Sequence, residues 1–109
     1  MNDTLHPAIA AYFEASNGRE PEALRRCFAP NAVVTDEGQT YEGDDGVARW
    51  VAHTLAAYVF TIEPLRVARQ KDETVVTCRL TGTFPGSPVE IRFLFRLDGD
   101  RIASLEIKP

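Results

Sequence analysis

Apolar residues follow two rhythms along this chain, and the change near residue 59 divides it. In the first part, Leu5, Ile9, Tyr12, Phe13 and Ser16 fall at i, i+4, i+7, i+8 and i+11, one face of a helix. Asn17-Gly18 predicts its C-terminal stop, because glycine tolerates the left-handed backbone that many helix ends adopt. Pro21 suits the first turn of a second helix, with Leu24, Cys27 and Phe28 as its stripe and Pro30 as its end. Ala32 to Asp36 reads as a strand, Glu37-Gly38 as a turn and Gln39 to Glu42 as a short return strand. Val47, Trp50, Val51, Thr54, Leu55 and Tyr58 mark the apolar face of a third helix, which Asp44 or Asp45 can cap.

The second part alternates with a period of two. Val59 to Arg69, Thr74 to Phe84, Val89 to Leu97 and Arg101 to Lys108 are rich in Val, Ile, Thr and Phe. Lys71-Asp72, Pro85-Gly86 and Asp98-Gly99-Asp100 punctuate them. Val89, Ile91, Phe93, Phe95 and Leu97 share one face of their strand; Glu90, Arg92, Leu94 and Arg96 share the other. Connections this short predict antiparallel hairpins or a meander. Helices gathered on one side of such a sheet make an α+β architecture: three N-terminal helices with a short hairpin, then four long strands. The outward face of the strands shows Thr77, Arg79, Thr81, Arg92, Leu94 and Arg96. It is polar with few acids, either a solvated face or a surface that packs on a second copy of the chain.

Length and charge narrow the functional classes. The 109 residues fit one domain, 1–109, large enough to bury a core. A formal net charge of −4 argues against non-specific nucleic-acid binding, which depends on Lys and Arg neutralising phosphates. The longest nearly unbroken apolar stretch, Val47 to Ile62, is interrupted by Arg49 and His53 and is too short to span a bilayer. Met1-Asn2-Asp3-Thr4 has no basic region leading into an apolar one, so no signal peptide is expected. Cys27 and Cys78 have no close spacing and read as reduced, packed thiols. His6 and His53 lack acidic neighbours at ligand spacing. The expectation is a cytoplasmic protein with no cofactor and no metal.

Asp36 is the residue on which chemistry turns. It shares a strand face with Ala32 and Val34. On a buried face it is a carboxylate in apolar surroundings, with a raised pKa and the means to act as a general base. On a solvated face it is a turn acid. Tyr12 is either a core aromatic or a phenol that donates to a substrate oxygen. Trp50 reads as core or pocket wall, and His53 as a boundary histidine or an acid/base group. Glu106, between Leu105 and Ile107, reads as solvent-facing.

The run AAYFEASNGREPEALRRCFAPNAVVTD, residues 10–36, resembles the opening of the nuclear transport factor 2-like superfamily. EGQTYEGDDGVARWV then resembles the hairpin and third helix of its SnoaL-like and ketosteroid isomerase-like members. The resemblance implies a cystatin-like cone, a curved, mainly antiparallel sheet wrapped around helices and enclosing an apolar pocket. It also implies a homodimer through the outer sheet face. The ketosteroid isomerases bind the dienolate oxygen with a first-helix tyrosine and a protonated aspartic acid, while a second aspartate shuttles the proton. Tyr12 matches the tyrosine and Asp36 the shuttling base. Phe93 stands where the oxyanion aspartic acid would fall, and Val51 where a supporting tyrosine would. Loss of one oxyanion donor costs on the order of 10²–10³ in rate, so efficient steroid isomerisation is not expected. The related cyclases need an acid deeper in the sheet, and Val76, Cys78, Leu80, Ile91 and Phe93 supply none.

The expected pocket holds Tyr12 and Asp36, lined by Phe13, Val34, Trp50, His53, Cys78, Phe93 and Phe95, around a small apolar molecule. Two functions fit: proton abstraction beside a carbonyl without cofactor, isomerase- or lyase-like, or a non-catalytic ligand-binding or dimerisation module.

Overall fold

The computed structural model describes residues 5–109; the opening Met1 to Thr4, read above for a leader, lies outside them. Three helices come early: α1 Pro7–Asn17, α2 Pro21–Arg26 and α3 Gly43–Ala57. Six strands are β1 Phe28–Asp36, β2 Gln39–Glu42, β3 Phe60–Gln70, β4 Glu73–Gly82, β5 Val89–Asp98 and β6 Arg101–Lys108. They form one sheet in the order β2-β1-β6-β5-β4-β3. The α+β class and the hairpin-linked run β3 to β6 follow the sequence reading. The parallel pairing of β1 with β6 does not, since short loops reveal only neighbours in sequence.

Helix boundaries depart from expectation in three places. α2 stops at Arg26, and Phe28 opens β1 instead of extending the helical stripe. Pro30 sits inside the irregular stretch of β1 between Phe28 and Val33, where the ladder to β6 shifts register. Gly18 is right-handed at φ −79°, and Arg19 takes the left-handed backbone at φ 53°. Asp44 and Asp45 lie in the first turn of α3, and its N-cap residue, Glu42, makes no side-chain capping bond. At α1 the cap is His6, whose Nδ1 accepts the Ala8 N–H at 3.0 Å.

The sheet curls because its ladders carry extra residues. One falls in β3 between Pro64 and Arg66; another falls in β6 opposite Arg96-Leu97. Such bulges bend a strand and deepen its twist. Pro64 is accommodated because β3 is an edge strand with one open side. Gly82 is required by contact: a Cβ there would stand 2.3 Å from the Val59 carbonyl oxygen.

Two polar clamps fix the helices, one to the curled sheet and one to each other. Asn17 bridges both backbone groups of Ile62, its Nδ2 donating to the carbonyl at 2.9 Å and its Oδ1 accepting from the N–H at 2.7 Å. Arg19 donates to the carbonyls of Leu55 and Tyr58 at the C-terminal end of α3, where cations are favoured by the helix dipole. The core lies between: Ile9, Tyr12 and Phe13 of α1, Leu24, Trp50 and Val51 of the other helices, and Val34, Val76, Phe95, Ile102 and Leu105 of the sheet are all buried.

The outer sheet face is less basic than the sequence suggests. Glu63 lies 3.6 Å from Arg79, and Glu90 lies 3.6 Å from Arg66. Arg96 reaches Asp72 at 2.8 Å and Glu73 at 3.9 Å. Acids on other strands or on the β3–β4 turn pair with the arginines, a relation invisible along a single strand. Leu94 is the buried apolar residue of this face. No helix among the described residues is long and apolar enough to cross a membrane.

Candidate functional site

A two-residue turn places the key carboxylate. Glu37 (φ 53°) and Gly38 (φ 77°) both take left-handed backbone, the signature of a tight hairpin turn. Asp36 and Gln39 are therefore the last paired residues of β1 and β2. The strand parity carries Ala32 and Val34, both fully buried, into the core and brings Asp36 to the rim of the same face. There it meets α3. The Trp50 indole N–H donates to Asp36 Oδ2 at 3.0 Å.

Asp36 and Tyr12 line one cavity of about 650 Å³, within the usual range for a small-molecule site. Trp50, His53 and Phe93 line it too. Most of its remaining wall is apolar: Phe60, Ile62, Leu80, Val89, Ile91 and Ile107 from the sheet, with Phe84 and Pro85 from the β4–β5 loop; Glu37, Thr54 and Lys108 are its polar members. Tyr58 closes on Phe84 edge to face, ring centres 6.0 Å apart.

Phe13, Val34, Cys78 and Phe95, expected on the pocket wall, are packed into the core behind it. The cause is α1. Its adjacent Tyr12 and Phe13 rings fill that end of the interior, lying 5.5 Å and 5.8 Å from Phe95. The opposite half of the wall was not legible in the sequence. Leu80, Val89 and Ile91 have the correct strand parity, but parity says which face a side chain takes, not whether that face is filled. Phe84 read as the end of a strand and Pro85 as turn punctuation.

The site's electrostatics follow from burial. Burial pushes the Asp36 carboxyl above its ordinary value. Donation from Trp50 pulls the other way, the neighbouring Glu37 charge adds to the rise, and His53 opposes it. Burial holds the Tyr12 phenol well above its ordinary value, and the Asp36 charge adds to this. Tyr12 therefore keeps its proton and is a donor. No buried side-chain N or O among the described residues lacks a partner, yet no described residue bonds the Tyr12 hydroxyl. The hydroxyl accordingly reaches the cavity, where a ligand oxygen can accept from it. Phe93, fully buried against this wall, offers no second donor, and Val51 is core. Burial pushes the Cys78 thiol up to about 12, which leaves it inert. Among the described residues no cluster of three His, Cys, Asp or Glu could hold a metal.

A family model for the SnoaL-like domain matches residues 9–105. The chain belongs to the SnoaL-like domain family. The SnoaL-like chain is similar to a candidate polyketide cyclase from Sinorhizobium meliloti, with 36% identity, TM-score 0.90, and 95% of each chain covered. It is similar to a ketosteroid isomerase-like fold protein from Catenulispora acidiphila, solved with trimethylamine. There identity is 24%, TM-score 0.83, and coverage is 97% of this chain and 87% of that one. It is also similar to SalBIII, an epoxide hydrolase/cyclase-like enzyme of pyran ring formation in salinomycin. There identity is 20%, TM-score 0.81, and coverage is 93% and 86%. Among curated proteins none matches. At the two lower identities the likeness is one of fold.

Proposed function

We propose that this SnoaL-like protein binds a mostly apolar carbonyl compound and moves a proton at the carbon beside the carbonyl. The observation that carries the reading is the pairing of a raised, desolvated carboxyl with a protonated phenol on one mostly apolar cavity. Tyr12 donates to the carbonyl oxygen and Asp36 takes the α-proton. The C–H electrons pass into the enolate, whose oxygen charge the Tyr12 hydrogen bond stabilises, and Asp36 returns the proton to product. With Phe93 in place of a second donor, turnover is slower than a two-donor oxyanion site would allow, by about 10²–10³. The likeness to a candidate polyketide cyclase enters through a cyclisation that begins with the same enolate; here Asp36 at the strand end would serve in place of the acid that is missing deeper in the sheet.

The test is α-proton exchange of an enolisable bicyclic ketone, 2-tetralone, in D₂O, followed by NMR. The protein is expected to exceed buffer, and Asp36→Asn to lose at least about 10²-fold, the usual scale for a general base. Carbon-detected titration of the Asp36 carboxyl checks the base directly. A midpoint near the ordinary value of about 3.9, unmoved by ketone, ends the catalytic reading. Binding of 2-naphthol, an enol mimic, without any exchange would leave a non-catalytic ligand-binding module.

A second copy of the chain goes with this reading. Thr77, Arg79, Thr81, Arg92, Leu94 and Arg96 would form the contact, with Leu94 at its centre. Light scattering of wild type against Leu94→Glu checks it: a dimer that the variant splits supports the contact. The two free, buried thiols fit the reducing cytoplasm.

A further inference from the structure

We infer that Trp50 is the positioning residue of the Asp36 base, its indole N–H holding Oδ2 so that Oδ1 alone takes the substrate proton. This rests on the proton-transfer reading above. A free carboxylate on a strand end rotates about its side-chain bonds and presents either oxygen. Here the 3.0 Å bond from Trp50 Nε1 occupies one of them. Trp50 itself cannot drift: it is 1% exposed, and its ring stands edge to face with Phe28 at 5.9 Å.

The same indole lies nearly parallel to Tyr12, at 11° with ring centres 6.4 Å apart. One rigid side chain thus touches both functional groups, by its edge and by its face. It fixes where the base stands relative to the carbonyl donor. Misplacement of a reacting group by about 1 Å can cost 10²-fold in rate. The bond also favours the ionised carboxylate against its apolar surroundings. Glu37 acts on Asp36 by its charge and by a backbone hydrogen bond, and His53 by charge; Tyr12 feels the Asp36 charge in turn. Of these groups only Trp50 makes a side-chain hydrogen bond to it.

The chain contains one tryptophan, so its indole N–H gives a single resonance in a ¹⁵N-labelled sample. That resonance is expected to shift with pH at the midpoint of the Asp36 carboxyl, and to stay flat in Asp36→Asn. Trp50→Phe is expected to move the Asp36 midpoint upward and to lower the 2-tetralone exchange rate about ten- to a hundredfold. KM should change little, and the rate profile should move up in pH with the carboxyl. Global replacement of tryptophan by benzothienylalanine keeps the ring shape and removes the donor; it stands in if Trp50→Phe fails to fold. An indole resonance flat across the Asp36 midpoint overturns the inference. So does an Asp36 midpoint indifferent to loss of the N–H. An ordinary Asp36 midpoint in the wild type defeats the base reading itself; a raised midpoint with an indifferent indole defeats only the role of Trp50.

Discussion

Two stretches of one strand have opposite fates. On β5, Phe93 and Phe95 share a face and lie stacked, 6.3 Å apart at 16°. Phe95 is fully buried among Tyr12 and Phe13. Val89, Ile91 and Phe93 face the cavity. The strand pattern is the same in both stretches. The difference comes from what α1 sets against them: the Tyr12 and Phe13 rings pack on Phe95 and reach Phe93, 6.1 Å and 5.5 Å away, but leave Val89 and Ile91 to the cavity. In this fold a pocket is made by withholding helix side chains, not by altering the sheet.

The largest effect should come from cutting into the filled half. Phe95→Ala is expected to cost about 3–5 kcal/mol, the range for a buried phenylalanine, enough to unfold much of the population of a domain this size. Ile91→Ala, on the same face of the same strand, should cost only about 1–2 kcal/mol, because it enlarges a space already open. Urea unfolding of the pair measures the contrast. Equal costs would mean that the cavity is closed in solution.

A middle-sized effect should come from the clamp between the two halves. Asn17→Ala removes both bonds to the Ile62 backbone. At about 1 kcal/mol per bond the expected loss is about 2 kcal/mol. Asn17→Asp keeps the acceptor but turns an oxygen toward the Ile62 carbonyl where a donor stood, so it should lose at least as much. Ile62 lines the cavity, so both variants should weaken 2-naphthol binding as well as stability. A variant that loses stability while binding naphthol unchanged would separate the clamp from the pocket wall.

These contrasts also mark how far the sequence could be read. Period-two alternation identified the inward face of β5 and placed Asp36 on the face of Val34. It carried no sign that α1 would plug one end, so Phe13, Val34, Cys78 and Phe95 were expected on a wall they do not reach. The Asp36–Trp50 bond joins residues across a hairpin and a helix start, and no repeat spacing encodes it. Asn17 read as a helix stop, and its role as a clamp appears only once β3 lies beside it. The ion pairs of the outer face needed strand register, because Glu63 sits one strand from Arg79 and Glu90 two strands from Arg66. Tyr12 and Asp36 were legible through family resemblance; their common cavity required the fold.

The smallest effect has the opposite sign. Burial raises the folded-state pKa of Asp36 above its unfolded value near 3.8. Between those two values the folded chain binds more protons than the unfolded one. Stability therefore falls as pH rises through that window, and the cost stays constant above it. Asp36→Asn removes the charge and keeps an oxygen to accept from Trp50. At neutral pH the variant should be more stable by about 1 kcal/mol, a Tm rise of several degrees, as is common when a functional carboxylate is neutralised. Below the unfolded value both side chains are neutral, and the two melting curves should converge. A variant no more stable than wild type at pH 7 would mean that Trp50, His53 and water solvate the carboxylate as well as bulk solvent does. Asp36 would then share the open half's geometry without its low polarity, and the contrast between the two ends of the cone would be one of shape alone.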